Sequence, residues 1–337
     1  MKTGSFPQVS TRSTLSRKRF GALSIVPLTA VISLLLLFWH ISPTASLAQT
    51  PETPNAIRYA APAGSGAECS SLNPCALQTA VTFAADGDTI HVLEGIYPNN
   101  PGQPTLLITR NVTILGGFYG SEWNGPDPSL HPTILDAGDN NRVIQHQNSA
   151  ESVLDGFHIR NGLGTFGGGV YVVNGRLTVD NSWIYDNAAN SGGAIFVSNG
   201  AEAIIQNSEI YNNSAPGGGA IYVSFGGARA DILYNNIHNN NATTGAASGG
   251  ALFLTSGSTA FVEGNYIHHN ASGQGGGIFV DGGSTVTAQN NMVYANTASN
   301  EGGGFHAFGV LASWHNTVVG NSAVNGGVAS GCSSTVA

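Results

Sequence analysis

The stretch Asp180–Asn213, DNSWIYDNAANSGGAIFVSNGAEAIIQNSEIYNN, holds one complete repeat and the opening of the next. Followed on the isoleucine of its Trp-Ile-Tyr triplet, it recurs at Ile159, Ile184, Ile210, Ile237, Ile267, Val293 and Val318, in steps of 25, 26, 27, 30, 26 and 25 residues. A period in this range marks a solenoid, in which each repeat is one turn that cannot bury its apolar face alone. Apolar residues alternate within a repeat, as in Leu177 and Val179, then Ala203 and Ile205, then Ala230 and Ile232. That is the period of a strand. Three residues before the isoleucine stands Gly156, Asn181, Asn207, Gly264 or Asn290 in five of the seven copies. Gly and Asn tolerate a left-handed backbone, so a corner is expected there. A second corner is expected at the column three residues after it: Asn187, Asn213, Asn240, Asn270, Asn296 and Asn321. A Gly-Gly pair then opens a third short strand, as at Gly192-Gly193 before Ala194–Val197. Three strands and three corners predict one rung of an all-β parallel solenoid, with equivalent residues stacked roughly 4.8 Å apart.

The segment Asn213–Ile221, NSAPGGGAI, resembles the repeats of polymorphic outer-membrane proteins. More widely, the repeat resembles the right-handed, single-stranded parallel β-helix superfamily typified by pectate lyases. The resemblance runs from about Asp88 to the end, and a β-helix of about nine or ten rungs with an N-terminal helical cap is expected. It leaves function open, because lyases, hydrolases, adhesins and passenger domains share that architecture.

Composition agrees with a corner-rich solenoid: Gly makes up 46 of 337 residues, and only 9% of residues are charged. Hydrophobic residues, at 41% and in alternation, are enough to fill a core, which argues against a disordered chain. Residues 1–48 carry Lys2, Arg12, Arg17, Lys18 and Arg19, no acid, and an apolar run from Gly21 to Ile41 before Ser46-Leu47-Ala48. This reads as a secretory signal cut after Ala48, with an uncleaved membrane anchor as the alternative, since the run is long enough to span a bilayer. Residues 49–57 read as a linker, 58–87 as the cap, with helical spacing over Ala76–Ala85, and 88–337 as the β-helix. A helix across the open end would cover exposed strand edges. No comparable cap follows Gly326-Gly327, so a longer parent protein or a docked end is expected. Beyond residue 48 the chain has six Arg and no Lys against 19 acidic residues, which excludes a nucleic-acid partner for want of a basic patch. Cys69 and Cys75 bracket a short loop, and a disulfide is expected there in an exported protein; Cys332 is left over.

Three outward columns are candidates for function. Tyr171, Phe196, Tyr222, Phe253 and Phe279, one per rung beside the inward third-strand residues, would suit sugar rings if open to solvent. Arg160, Tyr185, Tyr211, His238, His268 and Tyr294 follow the motif isoleucine; His238 and His268, with His269, have the donor type for a transition metal, but no third ligand is evident. Asp155 and Asp180 occupy one position on adjacent rungs, where two carboxylates suit Ca²⁺ or acid/base chemistry, with Arg160 around the corner. Lyases of similar fold pair acidic Ca²⁺ ligands with a basic side chain, but the Asn-Thr-Asp, Asp-Asp, Gly-His-Gly and Arg-Ile-Lys signatures of polygalacturonases are absent. The function expected is a secreted or cell-surface, adhesin-like scaffold that binds carbohydrate or another surface without catalysis or a required cofactor. The alternatives are a polysaccharide lyase or glycosidase centred on Asp155 and Asp180, and a purely structural passenger.

Overall fold

The computed structural model describes residues 55–330, apart from 100–101, 149 and 243–247, together with 335–336. The signal or anchor reading of residues 1–48, most of the linker, and Cys332 fall outside the described residues.

Three long sheets form the walls of the solenoid. The first has eleven strands, from Ile57–Ala60 to Thr335–Val336. The second has nine, from Gly95–Pro98 to Thr317–Val319, and the third nine, from Leu106–Ile108 to Ala329–Ser330. Successive rungs pair in parallel and in register, Ile184 beside Ile210, Ile210 beside Ile237, Ile237 beside Ile267. None of the four is more than 1% exposed. Fully burying such a side chain contributes about 1.5–3 kcal/mol, so the column is a large share of what holds neighbouring rungs together. Two smaller sheets lie between the second and third in sequence: Leu163–Phe166 with Ala188–Ser191, and Asn241–Ala242 with Ala271–Gln274 and Thr297–Glu301.

The first corner is where the sequence puts it, with positive φ at Gly156, Asn181, Asn207, Gly264 and Asn290. Tyr234 and His315, at 57° and 53°, hold the same conformation with bulky side chains. The second corner lies one residue earlier than expected. The left-handed residues are Asn161, Asp186, Asn212, Asn239, His269, Ala295 and Gly320, each two places after the motif residue. This turn frees the next residue to point inward, and Asn187, Asn213, Asn240, Asn270 and Asn296 are all buried. Each donates its Nδ2 to the Oδ1 of the following rung at 2.9–3.0 Å, ending on Asn321. A second ladder runs behind the first corner through Asn235, Asn265, Asn291 and Asn316 at 2.9–3.0 Å. Ser182 and Ser208 carry it into the earlier rungs. Corner backbone groups buried inside the solenoid are thereby paired, as buried polar groups must be.

At the N-terminal mouth the helix Leu77–Phe83 buries Leu77, Ala80 and Val81. It packs against Ile57–Ala60, Thr89–Leu93 and Leu106–Ile108. Its Gln78 amide donates to the Leu107 carbonyl at 3.1 Å, and the Leu107 N–H donates to Gln78 Oε1 at 2.8 Å. One side chain thus closes two backbone groups on the open edge of the third sheet. Arg58 and the fully buried Asp88 pair at 2.8 Å, and the Ala56 and Ala85 N–H groups donate to the same carboxylate. Cys69 and Cys75 are bonded, with their Cα atoms 4.7 Å apart.

Candidate functional surfaces on the solenoid walls

Asp155 and Asp180 stand side by side in register on the outer face of the first sheet. Gln206 Nε2 donates to one Asp180 oxygen at 2.7 Å and Asn207 Nδ2 to the other at 2.9 Å. Glu263, farther along the column, receives Gln289 Nε2 at 2.9 Å and Asn290 Nδ2 at 3.4 Å, both on Oε1. Burial, and then the Asp180 charge, push the Asp155 carboxyl above its ordinary value, an effect opposed by a hydrogen bond from Asn181. An acid met by amides of the following rung is thus a repeated corner device of this wall. Arg160 does not join the pair. It lies past the Gly156 corner on the second sheet, and its Nε donates to Asp136 Oδ2 at 2.9 Å. Burial works against the Asp136 carboxylate, but hydrogen bonds from Asn161, the Gly138 N–H and Arg160 outweigh it and hold its pKa below the ordinary value. No group of three or more His, Cys, Asp or Glu placed to hold a metal ion exists among the described residues.

The expected sugar platform forms as a column but is not open. Tyr171, Phe196, Tyr222, Phe253, Phe279 and His306 align rung by rung on the outer face of the third sheet. Phe196, Phe253 and Phe279 are only 1%, 6% and 1% exposed, yet they lie outside the central core cluster. Phe166 stacks on Phe196 at 4.9 Å, and Phe225 and Phe308 close edge-on over Phe196 and Phe279. The glycine-rich approach to the third strand also runs beside the rings. A Cβ on Gly217 would stand 3.5 Å from the Tyr222 ring and 3.6 Å from the Phe253 ring. The row is a second hydrophobic layer outside the wall, with only Tyr171 and Tyr222 partly exposed.

The second sheet carries the open column. Tyr185, Tyr211, His238, His268 and Tyr294 are each partly exposed. Their ring centroids are 5.0, 5.3, 5.0 and 4.7 Å apart, with planes within 18° of parallel throughout. Rings this close and this parallel cover one another's faces, so what they show to solvent is a row of edges. His238 Nε2 faces Glu209 Oε1 at 3.0 Å, and Asn239 Nδ2 donates to His238 Nδ1 at 3.1 Å. His268 Nε2 faces Asn236 Oδ1 at 2.9 Å. Both networks assign the proton to Nε2. Burial first, then Tyr185, Glu209 and Asp186, push the Tyr211 hydroxyl up to about 12, which keeps it a donor. Beside this column His158 stacks on Trp183 at 4.5 Å.

A charge ladder escaped the sequence reading, and the loop expected over residues 119–132 is more tightly packed than a loop need be. Glu151, Arg176, Glu202 and Arg229 form an alternating ladder on the first sheet, with N···O distances of 3.6, 3.6 and 3.5 Å, and Arg229 also meets Asp231 at 2.8 Å. A cleft of about 430 Å³ lies beside it, lined by Asn111, Thr113, Glu151, Val153, Arg176 and Thr178 among others. Opposite charges here answer one another, so the cleft presents no unmatched charge to a ligand. The excursion after Phe118 is a packed strap: Tyr119 stacks on His131 at 3.7 Å, and His131 Nδ1 lies 2.8 Å from Glu94. Trp123 of the same strap packs on Tyr59 and donates to the Ser71 carbonyl at 3.0 Å.

Residues 144–337 match the family described as the right handed beta helix region, and the chain belongs to that family. Among solved structures it is similar to the pectate lyase Pel9A, at 15% identity and a TM-score of 0.53, over 81% of this chain and 79% of that one. It also matches an alginate lyase from Paenibacillus sp. str. FPU-7, at 18% identity and a TM-score of 0.41, over 81% and 99% of the two chains. At such identities the likeness is one of fold. No curated protein matches the sequence.

Proposed function

We propose that the chain is an exported, non-catalytic polysaccharide-binding β-helix whose contact surface is the outer face of the second sheet. The observation that carries this reading is the partly exposed ring column from Tyr185 to Tyr294, which offers hydroxyl and imidazole edges at one per rung. A repeating donor and acceptor row on a flat wall matches an extended polymer of hydroxylated units better than a compact ligand. A pectate lyase is among the solved structures of similar fold, which supports a polysaccharide as the class of ligand. Export is supported by the Cys69–Cys75 bridge and by the leader-like residues 1–48. Against catalysis, the Asp180 oxygens are both taken by amides and Arg160 is held by Asp136.

Affinity electrophoresis through gels containing soluble polysaccharides tests the reading. Replacing Tyr185 and Tyr211 together with Phe removes two hydroxyls and keeps the stack. At about 0.5–1.5 kcal/mol per net hydrogen bond, binding should weaken by roughly 5-fold to 150-fold. Asp155→Asn with Asp180→Asn should leave binding intact. Release of unsaturated uronides by the native chain, lost in the double Asn variant, would replace this reading with the lyase one.

A further inference from the structure

The left-handed position after the ring column is filled by Asn161, Asp186, Asn212, Asn239, His269, Ala295 or Gly320 in successive rungs. Asn, Asp and Gly are the ordinary choices for that backbone. Asn239 shows what the position does when it meets a histidine: its amide donates to His238 Nδ1 at 3.1 Å. One rung later the amide is replaced by an imidazole, and His269 Nδ1 lies 2.8 Å from His268 Nδ1. The substitution is not needed for the turn, which holds φ 55° at Asn239 and 53° at His269.

The two nitrogens face each other with their protonation nearly decided. His268 Nε2 is held by Asn236 Oδ1 at 2.9 Å, so the His268 proton sits there and its Nδ1 is a lone pair. In the metal-free chain the Nδ1–H of His269 donates to that lone pair. Moving this proton to His269 Nε2, by way of solvent and with no net release, leaves two lone pairs facing each other across 2.8 Å, which a modest turn of the exposed His269 ring brings onto one ion. The separation also has chemical meaning. With metal–nitrogen bonds of about 2.0–2.1 Å, two ligands at a right angle stand about 2.9 Å apart, and two at the tetrahedral angle about 3.3 Å. The observed 2.8 Å fits the right angle. Right-angled imidazole pairs suit the tetragonal geometry of Cu²⁺ and Ni²⁺ rather than tetrahedral Zn²⁺. The Asn236 contact is also the outer hydrogen bond that orients a metal-binding imidazole.

We propose that His268 and His269 form a two-imidazole chelate on the outer wall of the second sheet for a tetragonal divalent transition metal, Cu²⁺ or Ni²⁺, with water completing the coordination. His269 is exposed and His268 partly so, which leaves the remaining positions open to solvent. The site shares His268 with the ring column but does not rest on the polysaccharide reading, and it survives that reading's failure.

The test is titration of the purified full chain, without an affinity tag, with Cu²⁺ alone, read by calorimetry and by electron paramagnetic resonance. One tight equivalent with two imidazole nitrogens coupled to the copper is expected. His269→Asn, which installs the residue the chain itself uses at 239, should weaken that equivalent at least ten-fold. His268→Tyr, which continues the column as Tyr294 does, should do the same, and circular dichroism verifies that both variants fold. His315→Asn, at an exposed left-handed corner elsewhere, should bind like the native chain. Native-like affinity in His269→Asn, coupling to fewer than two nitrogens, or the absence of a tight equivalent overturns the proposal.

Discussion

Replacing Asn240 with Ala probes the ladder where its bonds are fullest. The side chain is fully buried, and its Nδ2 donates to the carbonyls of Ile210 and His238 and to Asn270 Oδ1 at 2.9, 3.0 and 3.0 Å. Its Oδ1 accepts from the Asn213 N–H and Nδ2, both at 3.0 Å. The Asn213 Nδ2 keeps Ile184 and Tyr211 as acceptors, so its loss matters little. Alanine orphans the Asn213 N–H and deprives two carbonyls of a donor. An unpaired buried group costs about 1–3 kcal/mol. Taking the N–H over that range, and each carbonyl at about 1 because it has a second lone pair, the expected loss is about 3–5 kcal/mol. Guanidinium unfolding followed by far-ultraviolet circular dichroism should show a lower midpoint with an unchanged slope. Asn239→Gly is the control: the residue is exposed and left-handed at φ 55°, so stability should move by no more than about 0.5 kcal/mol. Solenoids can lose two-state behaviour, so exchange of the Asn213 amide supplies a local readout. An Asn240→Ala chain within about 1 kcal/mol of native, with that amide still protected, would refute the ladder as a source of stability.

Phe279→Ala should act on stability. Its ring is 1% exposed between Phe253 and His306, both 4.9 Å away, and emptying such a site costs about 3–5 kcal/mol. An unchanged melting temperature would show that the row is an open platform after all. Asp155→Asn should show a dependence on pH. Because the fold raises the Asp155 pKa, the native chain loses stability as pH rises through the unfolded carboxyl value toward the folded one. The variant should therefore melt higher than native at about pH 7 and gain nothing at about pH 3. A variant that melts lower at about pH 7 would mean the ionised carboxylate is stabilised, as a metal ligand would be.

Much of the frame was legible because one period governs it. The motif isoleucines, the first corner and the inward side of each strand all follow from counting along the chain. The buried state of Phe196, Phe253 and Phe279 was not legible in the same way. Alternation tells which side of a wall a residue faces, but not what lies over that side. Here the cover comes from Phe166, Phe225 and Phe308, which belong to connections outside the strict repeat. The partner of Arg160 was hidden for a related reason. Asp136 belongs to an early rung without the Gly-Gly signature, so no column led to it. Other omissions had a usable signal. Glu151, Arg176, Glu202 and Arg229 follow the repeat with alternating sign, and the second ladder was broken for the eye only by Ser182 and Ser208. The second corner was misplaced by one residue because Asn serves both as a left-handed turn and as a buried ladder member, and the two stand adjacent at Asn212 and Asn213.

The amide ladder runs one way. The backbone N–H of Asn187, Asn213, Asn240, Asn270 and Asn296 each waits on the Oδ1 of the rung that follows. No rung in this run is complete in its hydrogen bonds until its successor has docked, whereas its own Oδ1 completes the rung before. A chain that emerges N-terminus first therefore carries a growing tip that is always one turn behind in order. Each arriving turn fastens the previous one, in the manner of a ratchet. Pulsed hydrogen exchange during refolding should find these five amides protected one step later than the core strands of the same rung. Simultaneous protection within a rung would show instead that successive turns close independently.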